Sequence, residues 1–226
     1  MTPSWISTNT LLIAWLLVPY VAAFLAVLLP SLSHALVVLC CGATTWVGAE
    51  ALITGTTRPL QLLGEFGVPL SLEPLAAWFV LLNGLVCLAV WIEARRQGWD
   101  RTGWMLLLVL LGSLNTSFLT TDLISLYVAL EVVGITAFLL ILKGNSANAW
   151  WIALRYLLIG NTTMAIYLIG AGLVYAQAGS FAFTALAQLP PGAPLVLVLV
   201  GLLTKAGVFL NGLWLPRTHA EAPAEV

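Results

Sequence analysis

Long apolar runs separated by short polar stretches dominate the chain. Seven are long enough for a hydrocarbon core of about 30 Å, which takes roughly twenty helical residues. They cover 11–29, 35–54, 74–92, 104–120, 123–142, 150–176 and 195–213. Pro30, Ser31 and Ser33 end the first run, and Gly55, Thr56 and Thr57 end the second. Residues 55–73 carry Arg58, Gln61, Glu65 and Glu73, which predicts a segment at the membrane interface. Only Thr120, Thr121 and Asp122 separate the fourth and fifth runs. Thr121 or Asp122 can cap the fifth helix by accepting from its free N–H groups. Residues 177–194 hold Gly179, Pro190, Pro191 and Pro194, which predicts a loop with one short surface helix. The pattern as a whole predicts an all-α, polytopic membrane bundle of about seven transmembrane helices.

Composition agrees. The chain is 61% hydrophobic and 8% charged, with a mean hydropathy of +1.04. Soluble domains carry about 25% charged residues, so the chain reads as a multi-pass integral membrane protein. A formal net charge of −1 without a basic patch gives no footing for nucleic acid. Cys40, Cys41 and Cys87 lie inside apolar runs and fit neither a disulfide framework nor a metal spacing. They read as small packing residues. Met1 to Thr10 lacks Lys and Arg, and the run that follows is too long for a signal h-region, so it reads as a retained helix.

The positive residues set an expected orientation. With the N-terminus outside, Arg95, Arg96, Arg101, Lys143, Arg155 and Arg217 fall at the inner face, and Arg58 alone falls outside. Trp99, Trp104, Trp150 and Trp151 are expected in the interfacial aromatic belt. His34 reads as a loop residue.

Two charges do not fit a purely structural bundle. Glu131 and Lys205 lie near the middle of the fifth and seventh runs. An isolated charge at a helix centre costs at least ~2.5–3.5 kcal/mol, so such residues pair or line an ion path. Tyr127 and Gly134 share the face of Glu131 by the i−4 and i+3 rule, and a glycine there lets another helix approach. Thr204, Gly207, Asn211 and Gly212 weaken the helix around Lys205. Loosened backbone at membrane depth is tolerated where it is buried in protein or lines a wet cavity, and transporters place ion sites at such breaks. A carboxylate that approaches or leaves a buried lysine changes how firmly the lysine holds its proton. The alternative is a structural scaffold subunit with a static ion pair that fixes helix register. Arg155 either continues a polar path or anchors at the interface. No phosphate loop, nucleophile triad or haem or iron–sulfur ligand set is present in the sequence, so no cofactor, metal or redox chemistry is expected of this chain itself.

These residues resemble a known family, the antiporter-like membrane subunits shared by NADH:quinone oxidoreductases and Mrp cation/proton antiporters. Asp122-Leu-Ile-Ser-Leu-Tyr-Val-Ala-Leu-Glu131 is similar to the family's D-L-x-x-L-Y-x-x-x-E. Ala153-Leu-Arg155-Tyr-Leu-Leu-Ile-Gly160 resembles A-L-K-Y-L-L-x-G, with Arg for Lys. Lys205-Ala206, then Trp214-Leu-Pro216-x-x-His219-x-x-Ala222-Pro223, resembles K-A…W-L-P-x-A-H-x-x-A-P.

The resemblance implies that Glu131 is the family's glutamate and Lys205 its central lysine, on a helix that breaks. Arg155, His219, Tyr127 and Asn211 would support the polar path. Leu210 and Gly212 stand where the family often has Pro and His, so the break would rest on glycine and Asn211. It further implies the first part of a fold of about fourteen helices built from inverted repeats. Residues 1–103 would form an N-terminal three-helix region. Residues 104–226 would begin the first repeat and stop short of its end. The expected partners are other membrane subunits of a multi-subunit complex and a chain supplying the remaining helices. The expected ions are protons, with sodium as an additional candidate. The expected setting is a bacterial-type inner membrane or an equivalent energy-transducing membrane.

Overall fold

The computed structural model describes residues 8–62, 67–144, 147–208, 212 and 214–221. Among the described residues six helices are long and apolar enough to cross a membrane, and the chain is an integral membrane protein with several spans. The residues group into two compact units, one running to Thr120 and one starting at Thr121.

The first unit holds α1 (Thr8–Leu28), α2 (Ser33–Thr54), strands β1 (Arg58–Leu62) and β2 (Val68–Leu72), α3 (Pro74–Arg96) and α4 (Arg101–Leu119). By packing, α4 belongs with the three helices before it. It is also the most enclosed, with 56% of its apolar window buried against 28–39% for the other spans. The glycines of α2 and α3 bring those two helices together. A Cβ on Gly48 would lie 2.6 Å from the backbone nitrogen of Leu81, and one on Gly84 would run into Thr45. Such small residues let helix backbones meet where lipid offers no hydrophobic drive. Buried polar side chains also bridge the helices. Asn83 Nδ2 donates to Asn115 Oδ1 at 2.8 Å and Asn115 Nδ2 to Thr44 Oγ1 at 3.2 Å, which ties α3, α4 and α2 together.

Three local features go beyond what the hydropathy pattern predicts. The polar segment 55–73 forms an antiparallel β-hairpin between β1 and β2, with Arg58 opposite Leu72 and Leu60 opposite Leu70. Its alternate residues Leu60, Leu70 and Leu72 are buried against Leu12, Trp15 and Leu16. Arg58 reaches back to Glu50 at 2.7 Å. Trp104 is enclosed by protein. It is 3% exposed, packed in the core beside Trp99, whereas Trp150 and Trp151 are exposed. His34 sits in the first turn of α2 and meets Trp104 edge to face at 4.7 Å.

The second unit holds α5 (Leu123–Leu142), α6 (Ala147–Ala178), α7 (Phe183–Gln188), α8 (Ala193–Lys205) and α9 (Leu215–Glu221). Asp122 caps α5, its Oδ1 accepting from the N–H groups of Ile124 and Ser125 at 2.9 and 2.8 Å. The short helix expected in 177–194 is α7. The core centres on Leu123, Met164, Tyr167, Val174 and Val198. Tyr167 is fully buried and its hydroxyl donates to the Leu123 carbonyl at 2.8 Å, joining α6 to α5. Glycines again set the closest crossing, α6 on α8. A Cβ on Gly201 would lie 2.5 Å from Tyr167 Cβ, and one on Gly170 would lie 2.8 Å from the Val198 nitrogen.

The seventh apolar run is not one long helix. α8 has 13 residues, about 20 Å at ~1.5 Å per residue, and stops at Lys205.

Candidate ion-translocation site

The site is built on the end of α8. The Gly207 N–H donates to the Thr204 carbonyl at 3.1 Å, and the Val208 N–H to the Leu203 carbonyl at 3.0 Å. Gly207 itself adopts φ +68°. This pair of bonds around a left-handed residue is the Schellman stop, which glycine adopts without a Cβ penalty. The chain then doubles back so tightly that a Cβ on Gly212 would strike the Gly207 carbonyl. Lys205 therefore sits in the last turn of α8. The partial negative charge of a helix C-terminus favours a cation there.

The lysine side chain crosses to the neighbouring helices. A Cβ on Gly134 of α5 would lie 2.5 Å from Lys205 Nζ, and one on Gly160 of α6 would lie 3.7 Å from it. The ammonium thus nests in the groove that Gly134 leaves open. Glu131 lies one turn earlier on α5. Its Oε1 is buried and accepts no hydrogen bond from the described residues. Glu131 and Lys205 form no ion pair within 4 Å; the ammonium instead lies against α5 at Gly134, one turn from Glu131.

The other expected residues are distributed around this centre. Tyr127 stacks on Tyr167, with ring centroids 6.4 Å apart and planes 12° from parallel. Arg155 is half-buried, without an acidic partner among the described residues, and lines a cavity of about 280 Å³ with Asn148, Trp151, Trp214 and Thr218. Asn211 lies outside the described residues. His219 falls in α9, and its side chain is outside those described.

Two residues of the site carried no signal of their own in the sequence. Tyr156 meets the Trp214 indole edge to face, with ring centroids 5.2 Å apart. Trp214 Nε1 donates to the Thr204 carbonyl at 3.0 Å, one residue before Lys205. Both lie inside the family-like motifs, next to Arg155 and ahead of Pro216. That neighbourhood was the only hint to them, because spacing does not say which face of α6 meets α8.

Residues 120–226 match the family model for the NADH:quinone oxidoreductase/Mrp antiporter transmembrane region. The chain is 32% identical over 245 residues to NADH-quinone oxidoreductase subunit N from Desulforudis audaxviator, covering 99% of this chain and 46% of that protein. It is 30% identical over 174 residues to a component of a probable K(+)/H(+) antiporter from Rhizobium meliloti, covering 71% and 32%. In fold it resembles a chain of the Mrp complex from a Dietzia species, with a TM-score of 0.87, 21% identity and coverage of 97% and 45%. It also resembles a chain of respiratory complex I from Thermus thermophilus, with a TM-score of 0.76, 24% identity and coverage of 94% and 48%. The chain spans less than half the length of each.

Proposed function

Because the chain belongs to the family of membrane subunits shared by NADH:quinone oxidoreductases and Mrp antiporters, we propose that it is a proton-translocating, antiporter-like subunit. Glu131 and Lys205 are its working pair. The observation that carries this reading is the gap between them. Glu131 Oε1 is buried and unpaired among the described residues, while the ammonium nests at Gly134 one turn along the same helix. A pair held apart in a low-dielectric interior has two states to move between. At an effective dielectric near 20, two unit charges at 4 Å attract by about 4 kcal/mol. Closing or opening the gap changes a large part of that. Closure holds the proton on Lys205, and separation lets it pass to an acceptor along the polar axis. Arg155, Tyr127, Asn211 and His219 support that axis.

The setting is a Mrp-type cation/proton antiporter or a related NADH/quinone oxidoreductase complex. Other membrane subunits surround the chain. The further helices of such a subunit come from additional chain or from a neighbour, as the length of the relatives suggests. Sodium-dependent pH changes in vesicles lacking redox cofactors favour the antiporter. Co-purifying iron–sulfur subunits favour the redox complex.

The test is Lys205→Ala in the assembled complex. Loss of proton transport with normal assembly is expected. Loss of assembly without a specific transport defect would instead identify a scaffold whose charges only hold helices in register.

A further inference from the structure

We propose that Trp214 is a gate between the cavity at Arg155 and the Glu131–Lys205 centre. The inference rests on the reading of that centre as an ion-translocation site, and it names what controls access to it. Trp214 touches both compartments. On one side it lines the cavity with Arg155, Asn148 and Thr218. On the other its indole N–H bonds the Thr204 carbonyl beside Lys205, and its ring lies against Tyr156 of α6.

Four features make this a releasable contact and not a fixed cap. The Thr204 carbonyl also accepts from the Gly207 N–H at 3.1 Å, so it stays satisfied when the indole leaves. A released indole N–H meets Asn148 and Thr218, polar groups that already line the cavity, and a satisfied donor avoids the cost of a buried orphan. Trp214 precedes α9 and lies outside any helix. Its backbone is nonetheless anchored, because its carbonyl accepts from Thr218 Oγ1 at 2.8 Å. The side chain can therefore swing while the main chain stays in place.

Closed, the indole and Tyr156 seal the buried carboxylate oxygen and the ammonium from the cavity. Open, the polar space at Arg155 becomes continuous with Lys205, and water-borne protons reach it from that side.

The gate is tested without measuring transport. The full chain, assembled in its membrane complex with Cys40, Cys41 and Cys87 replaced by alanine, carries Lys205→Cys as a reporter. The probe is a small, charged, membrane-impermeant methanethiosulfonate. Asn148→Cys on the cavity wall is expected to label readily in every background. Lys205→Cys is expected to label slowly with Trp214 in place and at least ten-fold faster with Trp214→Ala. Trp214→Phe keeps the ring and loses the hydrogen bond, and it is expected to fall between them. Val198→Cys, buried on the same helix, should stay unlabelled throughout.

Equal Lys205→Cys rates in all three backgrounds overturn the gate, and so does Val198→Cys labelling that rises in parallel, which marks general loosening. If Trp214→Ala does not assemble, Trp214→Phe decides by the same comparison. Normal transport by Lys205→Ala would instead overturn the function proposed for the centre while leaving the access measurement intact.

Discussion

Gly134 offers a substitution whose effect can be worked from geometry. A methyl group at that position would lie 2.5 Å from Lys205 Nζ. Nonbonded heavy atoms settle near 3.5–4.0 Å, so Gly134→Ala must push the ammonium by roughly 1 Å. The fold bears this easily. Nζ is the end of a flexible side chain, and alanine is worth roughly 0.5–1 kcal/mol more than glycine inside a helix. The charge pair bears it less well. Unit charges ~5 Å apart lose about 0.5 kcal/mol when moved ~1 Å further apart at an effective dielectric near 20. That alone is about a two- to three-fold change in equilibrium. Misplacement of reacting groups by ~1 Å can cost as much as ~10²-fold in rate. Gly160→Ala is the matched control, because its methyl would sit 3.7 Å from the same Nζ, an ordinary contact. Proton uptake by proteoliposomes carrying the assembled complex should therefore fall between three-fold and a hundred-fold in Gly134→Ala, with normal protein yield. Gly160→Ala should stay near wild type. Equal activity in the two variants would refute the placement of the ammonium.

Two further substitutions test the framework around the site. Gly201→Ala presses a methyl to 2.5 Å from Tyr167 Cβ and 3.0 Å from the Thr163 carbonyl, neither of which can swing away. It should destabilise the α6–α8 contact by about 1–3 kcal/mol, read as a lowered Tm in detergent, and an unchanged Tm would count against that contact. Asp122→Ala removes the cap of α5 and should cost about 1 kcal/mol, while Asp122→Asn should cost little. Denaturation of the two variants side by side checks this, and equal losses would mean that the side-chain bonds to Ile124 and Ser125 contribute nothing.

Much of this architecture was legible in the sequence because lipid imposes a coarse rule. A span needs length and apolar side chains, and six of the seven runs satisfy it as long helices. Glu131 and Lys205 stood out for the same reason, as charges where charges are costly. Other features depend on contacts that no local pattern carries. The hairpin strands are only five residues long, and each contains a proline, Pro59 or Pro69, which ordinarily argues against a strand. Trp104 carries the amphipathic indole of a belt residue, yet the helices around it enclose it. The early stop of α8 showed only as scattered glycines, and it took the Gly207 dihedral and two backbone bonds to place it. Gly134 read as room for a helix, whereas it is room for the end of Lys205. Tyr156 and Trp214 became visible only once α6, α8 and the chain ahead of α9 were set against one another.

The claim on which the rest depends is that Glu131 and Lys205 act as one unit. A double-mutant cycle in proton flux tests it, using Glu131→Gln, Lys205→Ala and the combined variant in proteoliposomes of the assembled complex. Groups that work through each other give strongly non-additive losses. Each single substitution is predicted to abolish most of the flux, with the double variant no worse than either. Independent, multiplying losses, or a single variant that pumps normally, would contradict the account.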